Sequence, residues 1–506
     1  MTPARGGESA TVVRRLTTPR DPVALHAALA ANGCPLLVRR TGGRSLLVVD
    51  VALRLEANGL EARLVAESEG GMLLFDRIAA RLEGYVVARA EREIRFVFPR
   101  CDDAAEDARA KAPTPLDIVR AMAFATRPRD RDDPFALVVA GIVGFDHVDM
   151  VETLPPRPAG SFPDLLFLLA ESAVVVEASG ATRVIALAVG SDDEAIAHRQ
   201  HHLAAERLAR LVTRCERINP PIEIEAPRDQ SAEPDLDDAG FAATVERMKD
   251  HIDAGDIFQV VVSRAFRTRC DDPRAAFRRL VAADPSAYQF CFDSGHGMLF
   301  GASPETALEI ERAGDALKLS VSPIAGTRPR GGTPDEDGRH EADLRLDTKE
   351  VAEHLMLVDL ARNDVARVAT SGTRRVAKLL DVERFARVMH LVSRVEGELG
   401  AGKDAIDAIR ACLNVGTLSG APKLRAIELI RSVERSARGP YGGAIGWICG
   451  DGSMDSAVII RSALVRDGIA EVRAGAGVVA ASDPLAEARE TTAKARAVLE
   501  ALGAVA

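Results

Sequence analysis

The sequence predicts an α+β fold with large antiparallel sheets and helices outside them. Three observations lead there. Strand-like runs with alternating or continuous apolar residues recur along the whole chain. The back half reads helix, then strands, then helices. Two late strands are rich in glycine, YGGAIGWI from Tyr441 and AEVRAGAGVV from Ala470, and a capped helix follows them.

In the front half, SLLVVDVALRLEA from Ser45, EIRFVF from Glu93 and ATRVIALAV from Ala181 read as strands. A long helix is expected from about Asp193 to Arg214. In the back half, a helix from Phe241 to Ala254 ends near Gly255, and the buried strand FQVVVSRAF follows it. Strands are expected at Met298–Ala302 and Leu317–Pro323, and helices at Thr348–Asp364 and Asp404–Leu413. Two polar stretches interrupt the pattern, Pro99–Pro115 and Asn219–Gly240. The second, rich in proline and acid, reads as a linker. The expected organisation is a front region over 1–218, a linker over 219–240 and a back region over 241–506.

Composition narrows the function classes. A chain of 506 residues can bury a substantial core. A net charge of −10 argues against nucleic acid, which rewards clustered Lys and Arg. It leaves room for an anionic small molecule, because a few placed cations suffice locally. The seven cysteines, Cys34, Cys101, Cys215, Cys270, Cys291, Cys412 and Cys449, form no C-x-x-C pair. A zinc site or disulfide framework is not expected, and a reducing cytoplasm fits. The N-terminal run MTPARGGESATVVRR has no apolar core of a signal peptide, and no apolar run is long enough to span a bilayer.

A handful of residues can carry chemistry. Glu353 shares a helix face with Met356, Leu357 and Leu360 at i+3, i+4 and i+7. A carboxylate on an apolar face needs a partner, either an arginine or a hard divalent cation such as Mg²⁺. After the N-cap candidate Asp483 and Pro484, the acids Glu487 and Glu490 and the base Lys494 fall on one face. Acids there either answer the helix dipole or serve as further ligands for the same metal. GTLSGAPK places Gly416, Thr417 and Gly420 in a turn before a helix, which either caps that helix or offers backbone N–H groups to an anion. Gly475 and Gly477 in RAGAG mark either a bulge or a place where backbone approaches a ligand closely. Arg461 ends an apolar run and is either a surface residue or a fork for a carboxylate. His390, between apolar residues, is either a satisfied core histidine or an acid–base group. Taken together, the set suits a metal-assisted reaction on a polyanionic small molecule.

The stretches DIFQVVVSRAF, SPE, PIAGTRPRG, EHLMLVDLARND, VMHLVSRVEGEL, GTLSGAPK, GPYGGAIGW, IIRSAL, AGAGVV and E-x-x-E-x-x-x-K follow one another from Asp256 to about Leu502. In this order they resemble the large, chorismate-binding subunit of anthranilate synthase, component I. SLLVVDVALR and VAGIVGFDHVD extend the resemblance, more weakly, into the front half. It implies an αββα sandwich. It also implies Mg²⁺, held by Glu353 and Glu490 with Glu487 nearby, and chorismate and ammonia as substrates. Glu305, in SPE, matches the acid that protonates the departing 4-hydroxyl. Tyr441, Arg461 and the backbone of Gly475, Ala476 and Gly477 match contacts to the enolpyruvyl carboxylate. Gly326, Thr327 and Thr417 match contacts around the ring, and Thr417 counts with the catalytic group. Gln259 and Lys494 fall among the substrate contacts. His390 matches the histidine of the second step, loss of pyruvate.

Relatives that use water carry a lysine where this chain has Gln259, and aminodeoxychorismate synthases read PIKGT where this chain reads PIAGT, with Ala325. Both lysines are absent, so ammonia attack at C2 fits best. The implied product is 2-amino-2-deoxyisochorismate, carried on to anthranilate. The alternatives are an enzyme that stops at the amino intermediate for a specialised pathway and an inactive regulatory or partner-binding subunit. The ammonia is expected from a separate glutamine amidotransferase subunit, in a homo- or hetero-oligomer.

One region departs from the family. The LLES of the tryptophan feedback site reads LLVR here, Leu36 to Arg39. NPSPYMF reads DPSAYQF, Asp284 to Phe290. Val38, Arg39, Ala287 and Gln289 are expected to degrade an effector site from opposite sides of one pocket, which points to specialised metabolism.

Overall fold

The structure, a computed structural model, describes residues 3–30, 33–102, 105–129, 133–217, 227, 229–385 and 388–505. Its frame is a pair of long strands, Ser45–Asn58 and Leu165–Val176. They run antiparallel from Ser45 opposite Val176 to Ala57 opposite Leu165. The register breaks between Val48 and Leu53, where the Asp50 N–H donates to Ser172 Oγ at 3.2 Å. At this bend the pair passes from one sheet into another.

On one side of the bend the sheet continues through Leu36–Arg40, Tyr288–Asp293, Met298–Ser303, Ser462–Arg466, Ile469–Val478 and Gln259–Arg269. On the other side it continues through Val138–Val143, Ala444–Cys449, Met454–Val458, Thr306–Ala313, Ala316–Val321 and Val388–Glu398. The inner faces of the two sheets meet in a core that includes Leu36, Val38, Ile142, Phe290, Trp447 and Ile459. Strands covered on both faces lose polar alternation, which is why LLFLLAESAVVV is buried throughout.

Helices cover the outer faces. Leu208 and Leu211 of helix Glu194–Glu216, with Val498 and Leu499 of helix Pro484–Leu502, pack on Leu37, Val174 and Val472. Val358 and Val365 of helix Thr348–Ala366, with Ile406 and Ile409 of helix Ala405–Cys412, pack on Ile310, Leu319 and Val395. Each such side chain contributes roughly 1.5–3 kcal/mol of burial. The architecture is the αββα sandwich that the resemblance implies.

Strands of the front region complete sheets of the back region. Val38 lies opposite Phe290, and Gly141 opposite Gly446. Both positions admit only glycine, each because of its other neighbouring strand: a Cβ on Gly141 would stand 2.1 Å from the Leu166 carbonyl oxygen, and one on Gly446 2.1 Å from that of Asp455. Of the expected linker, residues 219–226 and 228 lie outside the described residues. From Asp229 onward the segment is built into the fold. Gln230–Ser231 pairs parallel with Ala504–Val505, and Glu233–Pro234 antiparallel with Arg267–Phe266. The next helix starts at Asp238, capped by Asp237, rather than at Phe241. Among the described residues no helix is long and apolar enough to cross a membrane.

Candidate active site

The site lies where the Gln259–Arg269 and Ile469–Val478 strands meet the Gly416–Leu418 turn and the helices carrying the acids. Gly420, at φ 144°, lets that turn cross the strand: a Cβ there would stand 2.2 Å from the Gln259 carbonyl oxygen. Thr417 is thereby aimed at Glu305, and its hydroxyl donates to Glu305 Oε1 at 2.7 Å. Glu305 is buried just after the strand Met298–Ser303. Burial pushes its carboxyl up to about 7, against the Thr417 hydrogen bond and the Lys494 and Arg461 charges. A carboxylic acid that keeps its proton near neutral pH can deliver it.

Around Glu305 stand the expected anion contacts. Ser263 pairs with Gly475, Val262 with Ala476 and Val261 with Gly477. A Cβ on Gly475 would come within 2.7 Å of the Val262 carbonyl oxygen and 3.1 Å of the Tyr441 phenol oxygen. Lys494 Nζ donates to the Gly475 carbonyl at 3.1 Å. Gln259 is buried with its Oε1 unpartnered. Arg461 is no surface residue of ordinary backbone. It sits at φ 47°, a costly conformation for a residue with a side chain, and burial depresses its guanidinium pKa against the pull of Asp284 and Glu305.

His390 closes the opposite side. Its Nδ1 stands 3.0 Å from both the Gly326 carbonyl and Thr327 Oγ1, while Nε2 is buried without a partner. A carbonyl only accepts, so Nδ1 carries the proton and Nε2 the lone pair. Burial holds the ring at about 4, so it is neutral at physiological pH despite the Gly326 bond. Gly326, at φ 72°, forms a bulge that brings both groups to the ring.

The acids gather at the other end. Among the described residues Glu353 pairs with no arginine. Its neighbours are Lys349, at 3.7 Å, and the carboxylates of Glu350, Glu487 and Glu490. Burial first, and these carboxylates against Lys349, push Glu353 up to about 7. Its buried Oε1 makes no hydrogen bond. Lys349 also reaches Glu487, at 3.8 Å, and Lys494 pairs with Glu490 at 2.7 Å. Burial raises Glu487, whereas the Lys494 ammonium overrides burial and holds Glu490 low. Among the described residues, no three acid, histidine or cysteine side chains stand close enough to hold a metal ion as placed.

The structure adds residues that the sequence reading passed over. Glu350 joins the acid cluster, and its place one turn before Glu353 was a readable signal. Asp364 forms a buried pair with Lys423 at 3.0 Å, beside a small cavity behind Glu305 and Thr417. These two lie 59 positions apart, and no local signal links them.

The altered strands are neighbours, not opposite walls. Arg39 lies directly across from Gln289, and Val38 from Phe290. Val38 faces the inter-sheet core, so alternation turns Arg39 to the helix side, where it stands 3.7 Å from Asp21. Gln289 Oε1 is buried without a partner.

A sequence profile of the chorismate binding enzyme family matches residues 81–500. Anthranilate synthase component 1 of Vibrio cholerae is 40% identical over 500 residues, covering 96% of this chain and 94% of the relative. The pyocyanine-specific anthranilate synthase component 1 of Pseudomonas aeruginosa is 42% identical over 478 residues, covering 91% and 87%. The crystal structure of anthranilate synthase component I from Streptococcus pneumoniae superposes with a TM-score of 0.70 at 29% identity, covering 90% of this chain and 92% of that one. The menaquinone-specific isochorismate synthase of Escherichia coli, at 18% identity and a TM-score of 0.69 over 99% and 96% of the chains, shares the fold. On the profile match, these identities and this coverage, the chain belongs to the chorismate binding enzyme family, in the group of anthranilate synthase component 1 proteins.

Proposed function

We propose that the chain aminates chorismate at C2 with ammonia and then eliminates pyruvate, giving anthranilate. The observation that carries this reading is geometric: the buried Glu305 carboxylate accepts from Thr417 at 2.7 Å, and His390, held by the Gly326 carbonyl at 3.0 Å, presents a buried, unpartnered Nε2. Glu305 donates its proton to the 4-hydroxyl, which leaves as water while the ring double bonds shift and the ammonia nitrogen bonds to C2; the ammonium so formed then loses one proton, which balances the one Glu305 gave. The new carboxylate is steadied by the Thr417 hydroxyl. In the second step His390 Nε2 takes the C2 proton, the bond to the enolpyruvyl oxygen breaks as the ring becomes aromatic, and the released enolate regains a proton at its methylene carbon and departs as pyruvate. Arg461, Tyr441 and the Gly475–Gly477 backbone hold the enolpyruvyl carboxylate, and Gln259, where a water-activating lysine is absent, leaves ammonia as nucleophile.

In donor chemistry the acid cluster suits a divalent cation, although its side chains as placed do not close on one ion: its donors are all carboxylate oxygens, and the buried Glu353 Oε1 makes no hydrogen bond, with the Lys349 ammonium 3.7 Å away. Glu353, Glu487 and Glu490 would hold Mg²⁺, which, when bound, would neutralise the ring carboxylate and draw electron density from the ring. A partner supplies ammonia when glutamine is the source. A glutaminase needs an activated thiolate, and six of the seven cysteines here are buried. Burial pushes Cys215 and Cys270 up to about 11 and Cys291 to about 12. Mass spectrometry of products from chorismate, Mg²⁺ and ammonium is the test. Anthranilate and pyruvate are expected in equal amounts. Accumulation of the amino intermediate would move the end point one step back, and unconsumed chorismate would overturn the proposal.

A further inference from the structure

Behind the Tyr441 wall lies a buried ion pair that neither step uses. Arg438 and Glu434 follow the helix Lys423–Val433. Arg438 Nε donates to Glu434 Oε2 at 3.0 Å and Nη2 to Oε1 at 2.6 Å. The rest of the guanidinium serves the backbone: Nη1 donates to the Leu418 carbonyl and Nη2 to that of Val261, each at 2.6 Å. Its face lies 4.3 Å from the Phe145 ring centre and 5.7 Å from that of Tyr441. The Tyr441 N–H donates back to the Arg438 carbonyl at 3.1 Å. Glu434 Oε1 in turn accepts from Ser263 N at 2.8 Å and Ser263 Oγ at 2.7 Å.

These contacts reach three separate walls of the cleft. Leu418 follows Thr417 in the turn, Val261 faces Gly477 two residues after Gln259, and Tyr441 borders Gly475. A buried ion pair is weak evidence for stability, since apolar side chains of the same volume often do as well. What apolar side chains cannot do is tie two carbonyls in one plane while stacking that plane against the Phe145 and Tyr441 rings. The geometry points to Arg438, with Glu434 fixing its plane, as a positioning residue that sets Thr417, Gln259 and Tyr441 against one another.

Resting on the chorismate reading for its kinetic arm, the test compares Arg438→Lys, Ser263→Ala and Arg207→Met. The last breaks a different buried pair, Arg207 with Glu171 at 3.0 Å, remote in the front half. Lysine keeps the charge beside Glu434 but lacks the planar fork that reaches both carbonyls. For Arg438→Lys, a melting temperature near the wild type is expected, together with a KM for chorismate raised about tenfold, or ~1.4 kcal/mol. Amide exchange measured by mass spectrometry should quicken in 416–421 and 259–264. Ser263→Ala should shift both readouts the same way, more weakly. Arg207→Met should lower the melting temperature and leave both readouts unchanged. Wild-type exchange in the two segments of Arg438→Lys would overturn the inference, as would a KM that merely follows melting temperature across the three variants. Exchange needs no substrate, so failure of the wild type to consume chorismate would sink the proposed function and leave this inference to be decided by exchange.

Discussion

Replacing Thr417 by valine keeps the branched shape and removes the hydroxyl that donates to Glu305 Oε1 at 2.7 Å. That bond favours the ionised carboxylate, so its loss must raise the Glu305 pKa above about 7. A hydrogen bond to a charged group is worth roughly 1.5–3 kcal/mol. At about 1.4 kcal/mol per pH unit, the rise is on the order of one to two units. Glu305 acts protonated, so activity falls as pH climbs through its pKa. The alkaline limb of kcat/KM should therefore lie near 7 in the wild type and roughly one to two units higher in Thr417→Val, whatever happens to the maximal rate. The assay follows anthranilate fluorescence across pH, with total ammonium adjusted to keep free ammonia constant. Limbs that coincide, or a variant limb shifted to lower pH, would refute the assignment of Glu305 as the acid. The same burial has a stability sign. On raising the pH, the unfolded chain loses this proton first, near 4.5, and the folded chain near 7. Stability thus falls across that window, by about 3 kcal/mol at ~1.4 kcal/mol per unit. Glu305→Gln should melt at higher temperature than the wild type above the window, match it below, and be inactive.

Glu353→Gln or Glu490→Gln should abolish turnover in a chain that still folds; near-normal rates at low Mg²⁺ in either variant would remove those residues from the metal. Purified chain should use ammonium and ignore glutamine, and glutamine-dependent anthranilate formation without a partner would contradict the reading of its cysteines. Tryptophan is expected not to inhibit at ordinary feedback concentrations, if Val38, Arg39, Ala287 and Gln289 stand where the resemblance implies effector contacts. Lost hydrogen bonds at about 1–3 kcal/mol each predict an affinity lower by two or more decades. A micromolar half-inhibition would show that the site survives.

Motif-bearing residues were legible because their local chemistry is local. Asp483 and Pro484 announced the last helix, which begins at Pro484 with the Asp483 side chain accepting the Ala486 N–H. Glu353 was legible as a carboxylate on an apolar face, but not its neighbour Lys349 as partner, because an i,i+4 lysine looks like ordinary helix decoration. The bend at Asp50 and Ser172 left no mark in the sequence: a strand that changes sheets keeps its apolar residues on both sides of the change. The relation of Arg39 to Gln289 needed strand register, and one residue of slip turns every side chain to the other face. No side-chain pattern marks the link of Arg438 to Val261 and Leu418, since those partners are backbone carbonyls.

The pairing of Leu36–Arg40 with Tyr288–Asp293 also sets a timetable for synthesis. At roughly 5–20 residues per second, a ribosome makes the second strand about 13–50 s after the first, some 250 residues later. During that interval LLVRR leaves the tunnel as an apolar strand edge with one neighbour missing, the kind of surface that recruits other chains. Sequence separations of this size slow the search for native pairing as well. Yield in a foreign host should thus depend on holdase chaperones and on temperature during growth, even for substitutions that leave the finished protein's stability untouched.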